Sequence, residues 1–195
     1  MFLVNDSKIR SCFERKSMIW ESEYWKKPLL RLAGKLNRWS TPRVWTEQEL
    51  VSIEKDVFIA FYSIRKLIDA KKLSDSTEAM MISVNMFPGK GKNVTLLNWH
   101  KIDSLYDFSS SNDGNRDLRF ISNQVIHSYV FLPDIKEDGS LGGILFCSDR
   151  ERNKNLFRLD VAELIKILRI VGKDYPPRST LVFNAKKQDY DQTNW

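Results

Sequence analysis

The apolar residues of this chain change their spacing near residue 128, and that change limits the fold more than any other feature. Before it, they recur every three or four residues, the period of a helix that buries one side. After it, short runs of β-branched and aromatic residues alternate with polar turns, as in antiparallel strands. Such a chain is expected to be α+β: a helical bundle followed by a small antiparallel β-meander with a packed C-terminal helix. No repeat and no long Gly/Ser- or Pro-rich linker divides the 195 residues, so they read as a single domain.

Residues 1–16 are polar and read as a leader. Residues 17–127 read as mainly helical. In 17–38, Ile19, Trp20, Tyr24, Leu29, Leu32 and Leu36 recur at helical steps, and Pro28 is expected to kink the segment or start a second helix. Residues 46–72 carry the strongest signal. Thr46 with Glu49 three residues on meets the capping-box pattern, and Ile53, Val57, Phe61, Ile64 and Ile68 trace one apolar face. A hairpin is expected over 80–99, with MMISVNMF and VTLLNW joined by PGKGKN; WHKIDSLYDF reads as a short helix and SSSNDGN as a loop. Residues 128–184 hold the meander. YVFLPDI and LGGILFC are joined by KEDGS, where Gly139 is placed for a positive φ, and LFRLD follows a polar turn. Asp160 caps a helix over 160–172, with Glu163 as its capping-box partner and Gly172 just past the end; an edge strand is expected near Leu181, and 185–195 reads as a mobile tail.

Composition narrows the function classes. The chain is 42% hydrophobic and 29% charged, as water-soluble globular proteins are. No signal-peptide h-region is present, and no run nears the roughly 20 apolar residues that span a bilayer, so a cytoplasmic protein with no membrane partner is expected. Cys12 and Cys147 are far apart and no C-x-x-C occurs, which argues against a cysteine-built zinc site. The net charge of +6 is uneven: residues 1–50 hold ten basic against six acidic side chains, residues 101–150 five against eight. A basic excess suits nucleic acid, and equally suits a plain basic surface.

Four places could carry chemistry. PGKGKN joins glycines to lysines but lacks the P-loop pattern, so Lys90 and Lys92 read either as a solvated turn or as contacts to a nucleic-acid backbone. Gly142 and Gly143 lack the dinucleotide fingerprint and fit a bulge or a close backbone approach. His100, Asp103 and His127 are the histidine-rich set, yet without metal-site spacing; no metal and no cofactor is expected. Finally, Arg119, Asn123 and His127 recur every four residues in RDLRFISNQVIHSYVF, residues 116–131, and so share one helix face. Histidine is the usual proton shuttle near neutrality and arginine stabilises an anion, so this trio suits metal-free attack of an RNA 2′-hydroxyl on its phosphate. A histidine that merely borders an amphipathic helix is the plain alternative.

SNQVIH, late in the helical part, resembles the signature helix of HEPN domains, whose active members are metal-independent RNases of toxin–antitoxin and anti-phage systems. In that family an arginine, a polar residue such as Asn and then a histidine form the site. Asn123 matches the polar position and His127 the histidine; Ser122 stands where the arginine belongs. Seven residues separate Arg119 from His127, one more than the pattern allows. The resemblance covers residues 46–131, with the β-meander as an appended element. It implies a degenerate HEPN-like subunit of a prokaryotic defence or toxin–antitoxin assembly, with a protein partner or a second copy and RNA as contacts. An endoribonuclease using His127, Asn123 and Arg119, and a nucleic-acid-binding accessory domain, are the alternatives.

Overall fold

A computed structural model describes residues 19–195. The leader expected over 1–16, with Cys12, lies outside them. The described chain is mixed α+β, with helices in its first part, a five-stranded antiparallel sheet, a packed helix and a C-terminal hairpin. No helix among the described residues is long and apolar enough to cross a membrane.

Helix α1 (Glu23–Trp39) buries Leu29, Leu32, Ala33 and Leu36 along one face. It runs through Pro28 rather than restarting there. In the second turn of a helix, the missing N–H removes one hydrogen bond and leaves the rest of the ladder intact. Helix α2 (Glu47–Asp69) begins at the expected capping box: the Thr46 side chain accepts from the Glu49 N–H, and Glu49 accepts from the Thr46 N–H at 3.0 Å. It stops before Lys71, whose φ of 51° turns the chain into α3 (Asp75–Glu78).

Strand β1 (Met81–Pro88) forms where expected, with Ile82 and Val84 inward. Its partner is not VTLLNW. Residues 89–101 form a turn-rich loop before α4 (Ile102–Leu105), and the strand paired with β1 is β2 (Asn112–Asp117), in the segment read as a loop. Helix α5 (Leu118–Ile126) follows directly, capped by the Asp117 side chain. Strands β3 (Ser128–Ile135), β4 (Leu141–Ser148) and β5 (Asn155–Asp160) make the expected meander. The free edge of β5 is taken by β1, with Phe87 opposite Leu156, giving the order β2-β1-β5-β4-β3. Strands from both halves of the chain thus share one sheet.

Helix α6 (Val161–Lys173) starts at Asp160, whose carboxylate accepts from the Ala162 N–H, while Glu163 pairs with Lys166 instead of closing a capping box. Gly172 lies within its last turn, not beyond it. Helix α6 packs on α1, α2 packs on α5, and α5 and α6 both reach β4, every residue of which is buried. Lys26 of α1 is wholly buried where these parts meet. Its ammonium donates to the carbonyls of Lys72, at 2.8 Å, and Asp174, and lies 4.4 Å from the Tyr175 ring. Residues 179–194, whose end was read as a tail, form a separate hairpin of β6 (Ser179–Asn184) and β7 (Asp189–Asn194). Asn194 anchors it by donating to the carbonyls of Lys71 and Leu73.

Candidate functional site

Helix α5 carries the polar stripe because its apolar side is fully occupied. Leu118, Ile121 and Val125 are buried, and Gln124 accepts from the Ser148 N–H at 3.0 Å, which ties the helix to the end of β4. Arg119, Asn123 and His127 fall on the other side, as the spacing requires.

The first two are already bound. Arg119 donates to Asp69 at 2.8 Å and to Glu78 at 3.1 Å. Asp69 also accepts from Arg65 Nε at 3.0 Å, and Arg65 Nη1 donates to Asn123 Oδ1 at 2.8 Å. Glu78 accepts from Lys71 at 2.7 Å. A continuous relay therefore runs Lys71, Glu78, Arg119, Asp69, Arg65, Asn123, and fastens α5 to the end of α2 and to α3. Burial alone would raise the Glu78 carboxyl, but the hydrogen bonds from Lys71 and Arg119 outweigh it and hold it below the usual carboxylate range. Burial works against the Arg119 charge, and its two carboxylates outweigh that and raise its pKa.

His127 stands at the end of the stripe as the C-cap of α5. Its side chain is exposed, and among the described residues no hydrogen bond or ion pair to it is formed. Only its backbone is engaged: its N–H donates to Asn123 and its carbonyl accepts from Asp149. Ser122 faces the opposite way. It is completely buried, and its hydroxyl donates back to the Leu118 carbonyl at 2.7 Å. The position that would carry an arginine in a HEPN site thus points into the core.

No family model matches the chain, and neither a curated protein nor a solved structure matches it.

The remaining candidates separate. Lys90 donates to the Asp103 carbonyl at 2.9 Å, and Lys92 is exposed beyond Gly91, whose φ is 73°. Gly143 is a close approach: a Cβ there would lie 2.4 Å from the Leu159 carbonyl oxygen. Among the described residues, no three His, Cys, Asp or Glu side chains come together as a metal site, so His100, Asp103 and His127 do not converge. Burial pushes the Cys147 thiol up to about 11, where it is a poor nucleophile. A groove of about 360 Å³ opens between α1 and α2, lined by Leu29, Arg31, Lys35, Arg38, Asp56 and Ile59; Lys35 is held by Asp56 at 2.7 Å.

Sequence reasoning missed Arg65, Asp69 and Glu78. The Arg65–Asp69 pair was readable as an i, i+4 pair on α2. Nothing in the spacing connects it to a helix 50 residues later.

Proposed function

We propose that this chain is a non-catalytic contact subunit, of the kind a degenerate HEPN-like chain contributes to a prokaryotic anti-phage or toxin–antitoxin assembly. The observation that carries it is the burial of Ser122 together with the engagement of Arg119 and Asn123. A site that stabilises a phosphorane needs a cation free to meet it. Here the family's arginine position is a core serine, and the neighbouring arginine is held between two carboxylates, Asp69 and Glu78. The contact role rests on the C-terminal hairpin, where Leu181, Val182, Phe183, Tyr190 and Trp195 are each more than half exposed. Phe183 and Tyr190 pair across the two strands with their rings 5.3 Å apart, and exposed apolar side chains grouped in this way mark interaction sites. The placement in a defence or toxin–antitoxin assembly rests on the SNQVIH resemblance only.

The ribonuclease reading has one observation in its favour, the exposed and unbonded imidazole of His127. The two part on one experiment. The wild-type chain and His127→Ala are compared for cleavage of single-stranded RNA, and the wild type is co-expressed with its genomic neighbours and weighed by light scattering. Equal, background cleavage and a mass above the 22.9 kDa monomer are expected. Cleavage lost in His127→Ala would establish the enzyme; a partnerless monomer would remove the subunit reading.

A further inference from the structure

The loop between β1 and α4, residues 89–101, holds two adjacent leucines in water: Leu96 is 78% exposed and Leu97 83%. It is nonetheless tightly built. At its root, Gly89 N–H donates to the Lys154 carbonyl at 2.7 Å, Val94 is buried, and the Val94 N–H donates to Asn153 Oδ1 at 2.8 Å. Across the tip, Asn98 accepts from the Thr95 N–H at 2.6 Å and donates to the Asn93 carbonyl at 3.0 Å. The Asn98 and Trp99 N–H groups both return to the Thr95 carbonyl. A hydrogen-bonded turn thus fixes both leucines outward, where water solvates them unfavourably unless something covers them.

The shoulders of the tip are basic. Lys92 and Lys101 are exposed, and among the described residues neither has a carboxylate partner. Residues 89–103 hold three lysines against one carboxylate, Asp103, and the adjoining turn adds Arg150 beside the paired Arg152–Asp149 and Lys154–Glu151. Trp99 is half-buried at the base of the tip.

We propose that this loop is a peripheral docking tip for an anionic lipid surface, with Leu96 and Leu97 entering the acyl boundary and Lys92 and Lys101 meeting the head groups. The exposed apolar part of the loop is two residues wide. A stable protein interface buries roughly 1,200–2,000 Å² and needs a complementary shape, which such a tip does not offer. Single-stranded nucleic acid is met by aromatic platforms, and the exposed apolar groups here are aliphatic. A bilayer interface accepts a small exposed apolar tip, and flanking cations supply the second attraction that stable peripheral binding requires. No membrane-spanning segment is needed.

The full chain is tested by flotation with phosphatidylcholine–phosphatidylserine vesicles, with pure phosphatidylcholine vesicles as the control. Binding to the anionic vesicles alone is expected, weakening as salt rises. Leu96→Asp/Leu97→Asp is expected to reduce partition at least about tenfold while the circular dichroism is unchanged, since both side chains are solvent-exposed. Lys92→Glu/Lys101→Glu is expected to remove the preference for anionic vesicles. Absence of wild-type binding, or equal binding by the leucine variant, overturns the proposal. So does binding of a single-stranded RNA oligonucleotide that the lysine variant loses, if the vesicles are not bound.

Discussion

Glu78 sits between two cations, Lys71 at 2.7 Å and Arg119 at 3.1 Å, and its charge holds the short α3 turn against α5. Because those cations hold its pKa below the ordinary value, the unfolded chain binds a proton there before the folded one does. Between the two pKa values the unfolded state carries more protons, so stability rises with pH in that window. Glu78 therefore contributes fully above the ordinary glutamate pKa of about 4.3, and the contribution is lost as pH falls below it toward the depressed folded value. Glu78→Gln is expected to lower stability by roughly 1 kcal/mol at neutral pH, and to match the wild type at the acid end of a urea-unfolding series. A difference independent of pH would mean that shape, not charge, holds the contact. At this scale the sequence disclosed half of the site. The four-residue spacing of Arg119, Asn123 and His127 is a property of one helix, so it was legible. Whether those side chains were free depended on Asp69, Arg65 and Glu78, which only the docking of α2 on α5 brings near.

Strand β4 shows how element packing decides the sign of a substitution. Gly143 pairs with Asp160, and a Cβ there would press to 2.4 Å on the Leu159 carbonyl oxygen, a backbone atom held in the sheet. Gly143→Ala is expected to destabilise by about 1–3 kcal/mol as β4 and β5 are forced apart. Gly34, inside α1, has nothing nearer than Arg38 at 4.0 Å, so Gly34→Ala is expected to stabilise by up to about 1 kcal/mol through helix propensity. Urea midpoints of the two variants, moving in opposite directions, check both. The elements themselves were legible where burial is one-sided or complete, as in α2, β4, β5 and α6; β3, with only Val130 buried, was legible from its β-branched and aromatic residues instead. Strands β2, NDGNRD, and β7, DYDQTN, do not. Each has almost no buried side chain, so no apolar alternation marks it. VTLLNW misled for the converse reason. Its apolar residues suggested a strand, but only Val94 is buried, and Leu96 and Leu97 face solvent in a turn. Periodicity reports burial, and pairing without burial leaves no trace in it.

The whole molecule does not divide at the point where the apolar period changes. The HEPN resemblance implies a helical unit over residues 46–131 with an appended β element, and such a unit should fold when the appendage is cut away. The packing argues otherwise. Strand β1 lies between β2 and β5, so removing residues 128–195 strips one side of β1 and uncovers Ile82, Val84 and Phe87. The same cut takes α6 from α1, whose Leu29, Leu32 and Leu36 are buried in the intact chain. It also leaves the Lys26 ammonium with the Lys72 carbonyl but without that of Asp174. The ammonium thus loses one of the two carbonyl acceptors that offset its burial in the intact chain. Fragments 1–127 and 128–195 are therefore each expected to give collapsed amide-proton spectra alone, while the intact chain unfolds in one cooperative urea transition. A dispersed spectrum and a cooperative transition from fragment 1–127 alone would restore the autonomous bundle and make the sheet an appendage after all. The expected result instead makes the sheet the element that joins the two halves, with α5 held in place by its packing on α2 and β4.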